Sequence, residues 1–254
     1  MFIFQPAEET ATGAKAMLAD GVFAVEKPIE IYGIHTSGYE QGRLATTAGP
    51  MMAGRDRFDL VLTGSGDVRG AAATLMQQLQ VLATVDASQT GMPQPPDFVM
   101  IQLNEPLTSG NQVRVTGTVS VASTSSRSRV ASTIRTGLAS SLPPGVALSA
   151  TYEEKWIAGV TNDSSRTLGA AAVVRETLGD AALSVVTTVP AGFSEDFGSF
   201  QEHVPGVFFY LGVANAARGW NGLPHHPNHV ADDRAIGVGA WAMAAVIVDR
   251  LRVR

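Results

Sequence analysis

The middle of the chain carries the pattern that most restricts its possible folds. From Asp56 onward the stretch "RFDLVLTG" places Phe58, Leu60 and Leu62 at alternate positions, which is typical of a strand with one face on a core. A helix is predicted over residues 70–85, and strands in "DFVMIQLNE" and "NQVRVTGTVSV" follow. A second helix over 124–142 and a strand in "VALSATYEEKW" complete the order β-α-β-β-α-β. This order predicts a split β-α-β unit of about a hundred residues that can fold as an inserted domain.

The segments on either side of this unit follow an α/β pattern. Residues 2–5 are predicted to form a short strand, residues 11–18 a helix, and "IEIYGIHT" (29–36) a buried strand. In the last portion a helix begins near Asn162 and ends at Gly179. The continuous apolar run "GVFFYLGV" (206–213) predicts a strand covered on both faces, and a long helix is predicted after "DDRAI".

Composition narrows the classes of function. The net charge of −5 gives no reason to expect nucleic acid or an anionic membrane as a partner. No run of eighteen apolar residues and no basic leader followed by an apolar stretch is present, so a cytoplasmic location is expected. Cysteine is absent, which excludes disulfides, thiol catalysis and thiolate metal sites. A metal ion would have to be held by His, Asp and Glu.

Acids and histidines follow the predicted strands. Glu8 and Glu9 come after the first strand, His35 ends the next one, and His225 lies in the loop "GLPHHPNH" before the last helix. Because ligands bind at the carboxyl ends of strands in open α/β sheets, these groups are expected to converge. Two acids with histidines favour metal-assisted hydrolysis, in which one carboxylate binds the ion and its neighbour takes a proton from the attacking water. Each group also has a structural interpretation, as a strand-end histidine, a solvated helix start or a surface turn.

Several segments resemble, in order, the motifs of one enzyme family. "FIFQPAEE" with "GAKAMLADGVF" resembles "FxFQPAEEGxxGAKxMIxxGxF", and "YGIHT" resembles "GLHxxP". The stretches "TTAGPMMAGRDRFDLVLTGSG", "GFSEDFGSFQEHVPGVFFYLGV" and "LPHHPNHVADDRAI" are similar to its later motifs. The chain therefore resembles the aminoacylase-type metal-dependent amidohydrolases, the metallopeptidase group that includes hippurate hydrolase, N-acyl-amino-acid amidohydrolase and auxin-conjugate hydrolase.

The resemblance implies a fold, a cofactor and partners. The fold would be an α/β, zinc-peptidase-like catalytic domain, incomplete here, with an inserted α+β ferredoxin-like lid and dimerisation domain. Residues 1–53 and 159–254 would form the catalytic domain, and residues 54–158 the lid. The cofactor would be a divalent metal, Zn or Mn, in a two-metal site in the full-length family. The substrate would be a small N-acyl amino acid or amide, and the chain would be a homodimer through its lid.

The resemblance also assigns roles to individual residues. Glu8 would be the general base and Glu9 a metal ligand. His35 would be the second-site ligand and His225 the last ligand. The remaining histidines and the acids of the "SEDF" turn would have supporting, structural or surface positions: His203, His226, His229, Glu195 and Asp196.

The match departs from the family pattern in two places. The family's earlier Asp-rich and "CGHDxH" segments, which supply its other ligands, have no counterpart, so we expect a chain that lacks the family's N-terminal portion and holds less than one tightly bound ion. In the lid, "GHAAxPH" is shortened without a histidine, and "GTxR" reads "GTVS", with Ser120 at the position of the arginine. Two functions therefore remain open: a hydrolase of N-acyl amino acids, and a catalytically inactive, degenerate relative that acts at most as a dimerising or binding protein.

Overall fold

A computed structural model describes residues 1–252 of the chain. Its helices are α1 (Gly13–Ala19), α2 (Val68–Leu82), α3 (Thr124–Ser132), α4 (Ser164–Leu178), α5 (Gly198–Gln201) and α6 (Arg234–Arg252). Its strands are β1 (Ile31–Glu40), β2 (Leu44–Thr46), β3 (Gly49–Met52), β4 (Gly54–Gly64), β5 (Pro93–Gln94), β6 (Val99–Leu103), β7 (Leu107–Ser109), β8 (Gln112–Val121), β9 (Val146–Ile157), β10 (Val160–Asn162), β11 (Leu183–Val185), β12 (Val189–Pro190) and β13 (Gly206–Ala214).

The middle of the chain forms an antiparallel sheet with two helices. Its strands lie in the order β6-β8-β4-β9, and β7 also pairs with β8. The alternation in β4 is confirmed, because Phe58, Leu60 and Leu62 are buried in one core with residues of α2 and α3. The predicted helix over 124–142 is α-helical as far as Ser132 and continues through a π-helical and a 3-10 turn to Ser141.

The flanking segments form a mixed sheet in the order β1-β13-β2-β11. Strand β13 runs parallel to β1 and antiparallel to β2. Its alternate residues pack on opposite faces: Val207 and Phe209 contact the core of α4 and α6, whereas Phe208 joins the core that includes α1 and Phe200. The predicted strand over 206–213, covered on both faces, is therefore confirmed.

Three local predictions differ from the structure. The strand predicted as buried over residues 29–36 is β1, which begins at Ile31 and contains no fully buried residue. Residues 2–5 form no strand: Phe2 and Phe4 are 82% and 89% exposed, and no strand among residues 1–252 pairs with this segment. The strand prediction was wrong because an apolar sequence does not supply the hydrogen-bonded neighbour that a strand requires. The N-cap of α4 is Asp163, which accepts from the Arg166 amide at 2.9 Å, while the Asn162 side chain bonds to the backbone of β13.

The chain enters and leaves the antiparallel unit at adjacent points. Gly54 at the start of β4 lies against Gly159, so that a Cβ on Gly54 would be 2.7 Å from the Gly159 nitrogen. Strand β3, which precedes the antiparallel unit, and strand β10, which follows it, also pair with each other. Within residues 1–252, no helix combines the length and the hydropathy that crossing a membrane requires.

Candidate active site

A cleft of about 630 Å³ is lined by segments of both the mixed and the antiparallel sheet. Glu8, Glu9, His35 and His225 all line it. Its volume lies in the usual range for small-molecule sites, about 300–1,000 Å³. The four residues predicted for the site, which come from three separate segments of the chain, thus share one cavity.

The two glutamates lie on a 3-10 turn, Glu8–Thr10, and not at the end of a strand. Ala7 and Ala11 flank this turn with φ of 55° and 52°, in the left-handed region that alanine rarely adopts. Such strained backbone persists only where the surrounding structure holds it. The turn is therefore fixed by contacts outside itself.

Asp196 supplies those contacts. Its carboxylate is fully buried, accepts from the side-chain amide of Gln5, and accepts from the Ala14 amide at 3.0 Å. Gly13 lets α1 begin this close to the turn, because a Cβ there would lie 1.6 Å from the Pro6 carbonyl oxygen. Asp196 thus holds the chain on both sides of the paired glutamates.

Three acids cluster at the cleft, and two of them, Glu8 and Glu195, line it. One carboxylate oxygen from each of Glu8, Glu195 and Asp196 lies within 4.8 Å of the others. Burial, together with the charges of Glu8 and Asp196, raises the pKa of Glu195 to about 7. Burial and the charges of Glu9 and Asp196 also raise the pKa of Glu8, while His35 and His225 oppose the shift. Protonation or a nearby cation would relieve this crowding of negative charge.

His35 is positioned by β1. It pairs in register with Tyr210 of β13, which also lines the cleft. Its Nδ1 lies 2.6 Å from the Thr36 carbonyl oxygen. Since a carbonyl only accepts, Nδ1 carries the proton, and the Nε2 of the neutral ring has a lone pair for a proton or a metal ion.

His225 lies at the tip of an internally bonded loop. It is exposed, with φ of 60°, and its Nε2 is 3.8 Å from a carboxylate oxygen of Glu9. His226 accepts from the Asn228 amide at 3.1 Å, and His229 Nδ1 lies 3.0 Å from the Leu223 carbonyl oxygen. These two histidines therefore shape the loop that carries His225. His203 is exposed, packs edge-on against Phe23 and does not line the cleft.

The predicted ligands are less closely grouped than the acid cluster. Within residues 1–252, Glu8, Glu195 and Asp196 form the only group of three His, Asp or Glu residues whose donor atoms all lie within 4.8 Å of one another. Glu9, His35 and His225 line the same cleft without meeting that distance as a set.

Sequence reasoning missed two features of the cleft. It gave Glu195 only a supporting role, although its carboxylate joins that of Glu8. It did not single out Arg55 of β4, which also lines the cleft. The available signals were the acids in "SEDF", after a predicted loop, and the basic residue in "MMAGRDRF".

An α/β chain with acids and histidines gathered in a cleft between two sheets defines a class of proteins that can bind divalent cations with oxygen and nitrogen ligands. The chain belongs to peptidase family M20/M25/M40, whose family model matches residues 1–249.

Individual relatives agree with this assignment. The chain is 31% identical to an N-acetylcysteine deacetylase from Bacillus subtilis, over 97% of this chain and 66% of the relative. It is 27% identical to the IAA-amino acid hydrolase ILR1-like 6 of Arabidopsis thaliana, over 97% of this chain and 54% of the relative. A crystal structure from Bacillus subtilis, described as a dinuclear metal binding peptidase from the M20 family, matches with a TM-score of 0.75 and 27% identity, covering 97% of this chain and 64% of that one. The chain thus spans between 54% and 66% of the length of these relatives.

Proposed function

We propose that the cleft hydrolyses the amide bond of small N-acyl amino acids or related amides with the help of a divalent metal. The observation that carries this proposal is the presence of Glu8, Glu9, His35 and His225 in one cleft of small-molecule size. The names of two relatives, an N-acetylcysteine deacetylase and an IAA-amino acid hydrolase, describe substrates in which an acyl group is joined to an amino acid.

The donor set of the cleft fits a divalent metal. Glu9, His35 and His225 offer one carboxylate and two imidazoles, which suit Zn or Mn, and Glu9 and His225 are 3.8 Å apart. Burial, together with the charges of Glu8 and Asp196, raises the pKa of Glu195, and a cation beside it would favour its charged form. These three side chains are proposed to hold the metal, with further ligands in a two-metal arrangement. When bound, the metal supplies a Lewis acid that polarises the amide carbonyl and activates water.

Glu8 is proposed to be the general base. Its pKa is raised by burial and by its acidic neighbours, which moves it toward neutral pH, where a carboxylate accepts a proton more readily. It takes a proton from the attacking water and returns it to the leaving nitrogen. Asp196 keeps the turn of Glu8 in place through Gln5 and Ala14. The walls contributed by Trp156, Ile157 and Phe193 shield the bound acyl group from water.

The domain arrangement proposed with this function divides the chain at residues 53 and 158. Residues 54–158 would be a ferredoxin-like lid and dimerisation domain inserted between the two catalytic parts, 1–53 and 159–254. The β-α-β-β-α-β order and the adjacent crossings at Gly54 and Gly159 support it. Light scattering of the full chain should give twice its 26.6 kDa mass, and a monomer mass would contradict the homodimer.

A direct experiment strips the full chain with a chelator, reloads it with Zn or Mn, and measures amine release from N-acetylcysteine. Metal should restore turnover, and Glu8→Gln should lower kcat by about 10²–10⁴-fold. Glu26→Gln, which removes an exposed acid outside the cleft, should leave kcat unchanged. Turnover that is insensitive to Glu8→Gln would refute the proposed base.

A second candidate is a catalytically inactive relative that acts as a dimerising or binding protein. The wider spacing of Glu9, His35 and His225 favours it. In that case the metal-loaded chain would bind N-acyl amino acids without turnover, and metal analysis would find less than one tightly bound ion per chain.

A further inference from the structure

We propose that Arg55 binds the carboxylate of the substrate amino acid, so that the cleft selects N-acyl amino acids with a free carboxylate over their amides. The proposal rests on the proposed amide hydrolysis and names the feature of the substrate that the cleft recognises.

Arg55 is a poorly compensated cation in the cleft. Its side chain is half-buried, and its guanidinium donates one hydrogen bond to the Gly192 carbonyl. Its buried Nε has no hydrogen-bond partner, and the ion pairs among residues 1–252 include none to Arg55. Burial lowers its pKa, because the charged form has lost solvation. A carboxylate bound to the guanidinium would supply the missing countercharge.

The charges of the cleft come from different parts of the fold. Arg55 is the only Lys or Arg among the residues that line it, and it extends from β4 of the antiparallel sheet. Glu8 and Glu195 belong to the segments around the mixed sheet. An N-acyl amino acid has an amide, which must lie near Glu8, and a carboxylate, which the acids repel. Arg55 offers the one fixed positive charge in the cleft that can attract that carboxylate.

The strand pairing supports the same assignment. Arg55 is the direct partner of Ser120 in the antiparallel pairing of β4 with β8. Directly opposed residues in such a pair point to the same face of the sheet, with Cβ atoms roughly 4.5–5.5 Å apart. Ser120 occupies the position where the similar "GTxR" motif has an arginine, and its buried hydroxyl has no partner. The chain therefore has its arginine on the neighbouring strand, at the same level of the same sheet face.

Calorimetric titration of the full chain with two probes tests this proposal. N-benzoylglycine carries the carboxylate, and N-benzoylglycinamide replaces it with a neutral amide of nearly the same shape. The wild-type chain should bind the acid more tightly by about 10- to 100-fold. Arg55→Gln should bring this ratio close to one while leaving affinity for the amide unchanged. Arg55→Lys should keep an intermediate ratio, because an ammonium group preserves the charge without the two-pronged geometry.

Arg114→Gln is the matched control. Arg114 lies on β8 of the same sheet, pairs with Asp59 and does not line the cleft, so its loss should not change the ratio. Thermal unfolding checks that each variant is folded, and the wild-type and Arg55→Lys ratios decide the question if Arg55→Gln does not fold. Equal binding of both probes by the wild-type chain, or an unchanged ratio in Arg55→Gln, would overturn the proposal.

Turnover is measured separately, which distinguishes this inference from the proposed function. Selective binding of the acid without hydrolysis would support Arg55 as the carboxylate site and refute the proposed hydrolysis. Hydrolysis of both probes without an Arg55-dependent preference would support the proposed hydrolysis and refute the carboxylate site.

Discussion

Asp196→Ala should release the turn that carries the paired glutamates. In the folded chain the buried carboxylate accepts from the Gln5 side chain and from the Ala14 amide. Ala14 is fully buried, so alanine at position 196 leaves its N–H without a partner, at a cost of about 1–3 kcal/mol. Losing the bond to Gln5 adds about 0.5–1.5 kcal/mol, which gives a total of about 1.5–4.5 kcal/mol.

Asp196→Ala should reduce the protection of the turn from hydrogen exchange as well as the stability of the whole chain. Urea denaturation measures the free energy of unfolding, and hydrogen exchange measures the protection of the amides from Ala11 to Ala14. Because Ala7 and Ala11 have left-handed φ angles that need outside support, the turn should relax when Asp196 is removed. Exchange at Ala14 should become faster by a larger factor than at the centre of β13, and the proposed hydrolysis should become slower with it.

Asp196→Asn should restore most of the stability and of the amide protection. Its oxygen can accept from the Ala14 amide, and its nitrogen can donate to the Gln5 side-chain oxygen once the Gln5 amide group has rotated by half a turn. Asp20→Ala removes an exposed acid at the far end of α1 and should change neither exchange nor stability. Normal Ala14 protection in Asp196→Ala would refute the idea that this carboxylate holds the turn.

Substitutions at three further positions test an ion pair, the core and a helix cap. Asp56→Ala should cost about 3–5 kcal/mol in urea denaturation, because the buried Arg127 loses its ion-pair partner, whereas the exposed ion pair of Asp59 should contribute about 1 kcal/mol or less. Phe209→Ala should cost about 3–5 kcal/mol, since this ring is fully buried between β13 and the helices, and a loss below about 1 kcal/mol would contradict that packing. Asp163→Ala should cost about 1 kcal/mol through the lost cap of α4, and Asp163→Asn much less. A backbone hydrogen bond lowers the pKa of Asp163 in the folded state, so its contribution to stability is fully present above the unfolded pKa of about 3.9. The difference in the free energy of unfolding between Asp163→Ala and wild type should narrow as the pH falls through the folded pKa.

Local periodicity explains why much of the fold could be predicted. Two patterns indicate which strand faces are buried: the alternation of Phe58, Leu60 and Leu62, and the continuous apolar run from Gly206 to Val213. Both are buried in the structure as these patterns predict. Residues 2–5 show the limit of this reasoning. Their apolar side chains give a tendency to extend, but a strand forms only beside a partner strand, and pairing is a property of the whole chain.

The candidate site was predictable from its ordered motifs and not from strand ends, because Glu8 and Glu9 lie on a 3-10 turn and His35 lies within β1. The sequence brought Glu8, Glu9, His35 and His225 to one cleft, although their roles stay predictions. It could not rank Glu195, because the burial that raises its pKa comes from packing between distant segments. Arg55 was missed for a related reason: period-two alternation puts it on the open face of β4, and only the tertiary fold covers that end of the face with the mixed sheet.

The acids and the arginine of the cleft are coupled through their fields. Glu8, Glu195 and Asp196 crowd negative charge where a substrate carboxylate would be repelled, while Arg55 attracts it. Any cation that neutralises the acids therefore also removes part of the repulsion felt by an anion at Arg55. Because binding free energies are reciprocal, an anion at Arg55 must strengthen cation binding at the acids by the same factor. Recognition of a free carboxylate and recruitment of a metal would then be two consequences of one charge arrangement, and substrates without the carboxylate would lose both.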